Sequence, residues 1–517
     1  MNQIITIFKK DARHLWPEIL VSLVLTAILV RVYPYTWVPR DYISIPLQQV
    51  AVALLFLVPM SWWILITRLI QSESLAGDRQ FWLTRPYEWK KLLTAKALFL
   101  LAFLYIPIFI AHCLLIVEAG FLPPAYIPGL LYNLLLITAI IVLPFIAIAT
   151  VTASFAKMTL TTLGILIGML GLFIVATLLP STHAKTPDSD GHLLLILSLG
   201  IFLAVILIQY AKRRLWLSRI ILGGVVLFAI LAVLIPTEDH SIRKAYPQAV
   251  SSQLPVQLTF APDDTHKVRL SGYDSKQKEV TLALPFNVSG VLAGRAVSLD
   301  NTSVTVEAPN GLHWTSHWRA AYGGGFYLPS APTTVLWVSI DRAFYDQVKS
   351  MPLSVNLSLA LTELQSEQPS QTSITEGNFT VPGIGICSSP RESDLISLYS
   401  LNCKAPLRRP HLASVQTYWS NEPCSDSGAQ SSPSAGILGS TWVGSVDRSP
   451  ADFSLAPVWN QAVYVRQFAG IDIDWSRRPR QRYLCPGTPL TVTPYQPLNR
   501  TRTQFTLHDL HLPPPTS

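Results

Sequence analysis

Charge is scarce in this 517-residue chain: Asp, Glu, Lys and Arg make up 14% of it, against 50% hydrophobic residues. The scarcity is uneven. Residues 1–236 hold 17 Lys/Arg and 9 Asp/Glu, whereas residues 237–517 hold 22 of each, so the whole formal charge of +8 belongs to the first part. That argues against nucleic-acid binding, which places basic residues on a soluble surface. The five cysteines form no C-x-x-C pair, which argues against a zinc site. There is no G-x-x-x-x-G-K-[ST], no G-x-S-x-G and no H-E-x-x-H, so the expectation is a non-enzyme with no catalytic residues, cofactor or metal.

What the chain has is hydrocarbon. A bilayer core needs about 20 largely apolar residues in a helix. Seven segments qualify: about 16–34, 46–70, 97–117, 129–155, 158–180, 192–211 and 220–236. Trp16, Tyr33, Tyr35 and Trp37 bracket the first as interface anchors, and Arg31 can snorkel. The initial residues lack a signal-peptide layout, so the first span is expected to stay as an anchor.

Basic residues set the orientation. With the N-terminus in the cytosol, the inner segments carry 14 Lys/Arg, from Lys9 to Arg219, and the outer ones carry Arg31, Arg40 and Lys185. The positive-inside bias therefore places the N-terminus in the cytosol of a plasma or inner membrane, and seven spans put residues 237–517 outside.

From about residue 250 the period changes from helical to two. In "VNLSLALT", Val355, Leu357, Leu359 and Leu361 alternate with small or polar residues, and "TTVLWVSID" and "TPLTVTPY" behave alike. Short strands with frequent turn signals predict an all-β exported region of two β-sandwich domains, 237–382 and 383–517, behind a helical membrane domain of residues 1–236. Cys387, Cys403, Cys424 and Cys485 all fall in the second. In an oxidising compartment they suggest two disulfides in any of three pairings, against the alternative of buried free thiols. "YGGGFY" (322–327) has no phosphate-loop sequel. Its aromatic neighbours Trp314, His317, Trp318, Tyr322, Phe326 and Tyr327 form either a binding surface or core. In "HDLH" (508–511) a strand would point the two histidines to opposite faces, so no metal pair is expected.

Within the membrane half, "GILIGMLG" aligns Gly164, Gly168 and Gly171 on one helical face for close helix contact, within one subunit or between two. His112 lies deep in the third span, where an ionisable residue is either functional or satisfied by a neighbouring helix.

The segment 71–96, "QSESLAGDRQFWLTRPYEWKKLLTAK", interrupts two apolar runs with charge and exposed aromatics. Phe81 and Trp82 among charges need a cover, from the lipid interface or a partner. Pro86 can open a helix that runs into the third span. The residues Glu73, Gly77-Asp78, "FWLTRP" (81–86, with Arg85 and Pro86) and Lys96 resemble the first cytosolic loop of permease subunits of type-2 ATP-binding-cassette (ABC) exporters. The amphipathic start "IFKKDARHLW" and paired spans are similar too, over roughly residues 1–212. The resemblance implies that this loop docks on a separate ATPase subunit and that permease subunits pair as a homo- or heterodimer in the bilayer. The seventh span and the exported domain depart from the family. A mere positive-inside flank is the plain alternative for 71–96. For the whole protein the alternative is a non-transporting, membrane-anchored envelope sensor or scaffold with an exported ligand-binding domain.

Overall fold

The structure is a computed structural model that describes residues 2–37, 45–72, 88–178, 191–234, 238–249, 256–262, 268–271, 278–320, 326–327, 333–375, 377–388, 400–407, 412–419, 437–443, 454–464, 466–467 and 485–512. Its first part is helical: α1 (Asn2–His14), α2 (Trp16–Val32), α3 (Ile45–Gln71), α4 (Trp89–Glu118), α5 (Pro123–Val151), α6 (Phe155–Leu178), α7 (Gly191–Lys212) and α8 (Leu215–Leu234). The chain is a multi-pass membrane protein with a β-rich region behind its helices.

Six helices among the described residues are long and apolar enough to cross a membrane, which corrects the expected seven. The candidate at 220–236 does form a helix, α8, but its described apolar part, Leu215–Phe228, is shorter than a full span. Arg219 near its start donates to the carbonyl of Val151 (3.2 Å). That contact lies at the end of the bundle carrying α1, and the β region that follows α8 packs on the opposite end.

Half of the spanning stretch is buried in α3 and α5 but only 6% in α6, so the first two are central and α6 is peripheral. The core runs from Ile7 of α1 through Trp62, Leu65, Ile66 and Leu69 of α3 to Phe99 of α4 and Ala147 of α5. Phe8 of α1 stacks on Phe103 and meets Phe99 edge-on, fastening the amphipathic helix to α4.

Two π turns interrupt the long helices α4 and α5, Leu101–Tyr105 in the first and Thr138–Val142 in the second. Each runs into a proline, Pro107 and Pro144. Proline offers no N–H and crowds the carbonyl one turn back, and a widened turn relieves both effects. The two turns are joined, with Tyr105 Oη 2.8 Å from Thr138 Oγ1.

After a short helix, α9 (Glu238–Ala245), the described residues build three sheets of four, ten and four strands. The alternation in "VNLSLALT" appears as strand Leu353–Ser366, with Val355, Leu357, Leu359 and Leu361 buried. One core lies between the sheet containing Glu279–Ser289 and the strands Arg295–Glu307 and Leu353–Ser366. A second brings Phe379, Cys387 and Cys403 against Val415, Leu490 and Val492. The 22-residue strand Pro489–Leu510 serves both: it pairs with Ala413–Trp419 near its start and with Leu353–Ser366 further on. The first core therefore takes Phe505, Leu507 and Leu510 from the last strand of the chain.

Cys387 and Cys403 face each other on neighbouring strands and form a disulfide. Cys485 is also disulfide-bonded. Cys424 lies outside the described residues, and Cys113 is free.

Candidate functional site

Two polar junctions mark the two ends of the bundle. At the α1 end, Lys96 of α4 is 2% exposed, as is Asp11 of α1. Lys96 Nζ donates to Asp11 Oδ2 (2.8 Å), to the carbonyl of Leu69 (2.9 Å) and to Ser72 Oγ (3.1 Å). A buried ammonium needs a counter-charge and filled hydrogen bonds, and this one has both. Leu69 and Ser72 end the helix before segment 73–87, and Lys96 lies in the helix after it. One side chain thus clamps both flanks of that segment to each other and to α1. Arg68 of α3 pairs with Glu18 of α2 near the same end.

Of the residues expected in the coupling loop, Lys96 is the one described; Glu73, Gly77, Asp78, Phe81, Trp82, Arg85 and Pro86 lie outside the described residues. A Cβ added at Gly164, Gly168 or Gly171 would meet nothing within 4 Å, so this face of α6 packs on no described part of the chain.

At the opposite end a turn of the β region enters the bundle. His112 of α4 is fully buried, and its Nε2 lies 2.8 Å from the carbonyl oxygen of Leu455. A carbonyl only accepts, so Nε2 carries the proton. Asn133 of α5 donates to the carbonyl of Ser454 (2.9 Å), and Tyr33, just past α2, donates to that of Val458 (3.3 Å). Leu455 joins the helical core, and Val458 packs with Trp37, Leu115 and Ile116. His112 lies six residues before Glu118, so the turn reaches roughly 9 Å below the helix end.

The logic is that of a buried loop, whose carbonyls are costly unless something donates to them. Three polar side chains, His112 and Asn133 on apolar helices and Tyr33 just past one, donate to three carbonyls in five residues. His112 is therefore satisfied by a residue 343 positions away, not by a neighbouring helix.

The approach is close. A Cβ on Gly129 of α5 would sit 2.8 Å from Leu407 Cδ1, and one on Gly120, which also has φ +95°, 2.9 Å from Ile386 Cδ1. Lys404 Nζ lies 5.4 Å over the ring of Trp37. Partial burial pulls the Lys404 ammonium below its ordinary pKa, and the carboxylate of Glu118 opposes that.

The fit is incomplete. His112 Nδ1 and Trp37 Nε1 are buried with no partner among the described residues. A net buried hydrogen bond is worth about 1 kcal/mol, and an unpaired buried polar atom costs about 1–3 kcal/mol. Burying Leu455 contributes about 2 kcal/mol.

The other sequence candidates resolve differently. Trp318 is buried beside Tyr246 and Ala360, and Trp314 stacks on Phe344, so both belong to the core, while Tyr322 lies outside the described residues. Among the described residues no group of three or more His, Cys, Asp and Glu could hold a metal. Sequence reasoning missed the turn at 454–458 and the Asp11 partner of Lys96. A short apolar island, "LAPV", and an acid within "KKDAR" were the available signals. Comparison with known proteins gives no match to a family model and none to a curated protein.

Proposed function

We propose that the chain is the membrane subunit of an ABC-type exporter, driven by a separate ATPase that docks on residues 71–96 at a cytosolic α1 end. One observation carries this reading: the buried Lys96 junction ties both flanks of that segment and amphipathic α1 into one rigid unit. A force applied to a docked loop would then move α3 and α4 together, which is what a coupling element needs. In this reading α8 crosses the bilayer despite its short described apolar part, so that with α1 in the cytosol the β region lies outside, in accord with the disulfides and the 14-to-3 bias of basic residues. The subunit works as a homo- or heterodimer in the plasma or inner membrane. It hydrolyses no ATP itself.

The test is co-purification of an ATPase encoded beside this chain. Capture by the full-length protein, lost when the aromatics of the segment are removed, supports the reading. Undiminished capture by that variant favours the anchored sensor or scaffold.

A further inference from the structure

We propose that residues 454–458 are a displaceable plug, which closes the β end of the helix bundle in this structure and withdraws from it, with His112 and Asn133 as its latch. Three observations converge.

The first is how the plug is held. The bundle's side chains bind its main-chain carbonyls at Ser454, Leu455 and Val458. Water satisfies such carbonyls equally well once the turn leaves, so release strands no protein charge.

The second is how the surfaces meet. Gly120 and Gly129 present no side chain where Ile386 and Leu407 approach, so the β region touches the bundle there without interlocking with it.

The third is mechanical. The plug leads into strand Val458–Tyr464, which pairs with Ser400–Pro406, and that strand is joined to Gly385–Ser388 by pairing and by the Cys387–Cys403 disulfide. Ile386, Lys404, Leu407 and the plug, which together touch the bundle, therefore belong to one small sheet or its immediate continuation and move together, carrying with them the strands that share the second core. On the other side, His112 and Asn133 stand on the outer halves of α4 and α5. Both halves are set off by the joined π turns at Tyr105 and Thr138, so they can tilt without disturbing the Lys96 junction.

The inference goes beyond the exporter reading, and its test requires no ATPase. Full-length protein carrying Cys113→Ala and Leu455→Cys is placed in nanodiscs and titrated with a maleimide. Leu455 is 8% exposed and Leu498 is 54% exposed, so Leu498→Cys gives the open reference. The rate at Leu455→Cys should be measurable but at least about tenfold below the reference, and His112→Ala or Asn133→Ala should each raise it about tenfold. The reference rate should not change. A rate at Leu455→Cys equal to the reference would overturn the seat; a rate unmoved by both latch variants would overturn displacement. Should a latch variant misfold, the pair Leu115→Cys with Val458→Cys, which pack together and leave both latch residues intact, decides. It should cross-link under mild oxidation, and after reduction its thiols should react slowly but completely. Failure to cross-link, or thiols that stay unreactive while the protein remains folded, rejects the proposal.

Discussion

Lys96 and Asp11, 85 residues apart in the chain, form an ion pair of 2.8 Å in which neither side chain is more than 2% exposed. Such pairs gain little net stability over an apolar pair but are costly to break singly, because the survivor keeps a buried charge. Lys96→Met or Asp11→Leu should each destabilise the folded protein by about 3–5 kcal/mol, whereas the two combined should cost far less. Unfolding of the four proteins in the same detergent closes the cycle. Additive losses would show that the two charges do not depend on each other.

The proposed docking of an ATPase on segment 71–96 is expected to depend on its aromatics, because interface energy concentrates in buried anchors while rim charges contribute little. Phe81→Ala with Trp82→Ala should abolish ATPase co-purification at unchanged membrane level, and Lys90→Gln with Lys91→Gln should reduce it little. The reverse ranking identifies a simple positive-inside flank.

Orientation is checked by reporter fusions. A reporter active only outside the cytosol should be active after Ser517 and inactive near Gln80, because the β region packs on the end of the bundle opposite α1. The same activity at both sites would mean that α8 does not cross.

Non-reducing mass mapping should recover a peptide joining Cys387 and Cys403. Since Cys485 is also oxidised and Cys113 is free, the second expected peptide joins Cys424 to Cys485. Cys113 should alkylate once the protein is denatured without reductant. Replacing Cys387 and Cys403 should cost about 2–4 kcal/mol.

A buried carboxylate sets a pH dependence. Asp300, at a bulge in strand Arg295–Glu307, accepts from Tyr246 Oη (2.9 Å), Ser298 Oγ (2.8 Å) and Thr362 Oγ1. Desolvation raises its pKa despite these hydrogen bonds and the nearby positive charge of Arg500. A raised pKa means that the folded state binds the proton more tightly, so this contribution to stability is full below the unfolded carboxylate range. It is lost as pH rises through the folded pKa. The melting temperature of the wild type relative to Asp300→Asn should therefore climb as pH falls from 7 to 4. A fall over that range would mean that Asp300 is held as a stabilised anion.

Local periodicity made much of the architecture legible. Runs of apolar side chains near bilayer length mark α3, α4 and α5, and the two-residue alternation from Val355 to Leu361 is the buried face of one strand. Length and composition did not decide the last helix: the stretch at 220–236 is apolar, its described apolar part is shorter than a full span, and packing is what places its start at the α1 end and the β region at the other. Alternation likewise identifies strands without saying which sheet they join, so it did not show that Pro489–Leu510 would serve two cores.

By itself the sequence determined the class of solvent each half of the chain meets, because transfer of side chains out of water is a local sum over neighbouring residues. It also determined that His112, deep in an apolar run, needed a polar partner, whereas the burial of Lys96, and so its own need for one, came from the packing. Only the tertiary structure decided who those partners are. A carbonyl 343 residues from His112 and a carboxylate 85 residues from Lys96 satisfy them, and any carbonyl or acid of suitable reach would have met the same local demand. Which one does so depends on how the helices pack and where the β region docks.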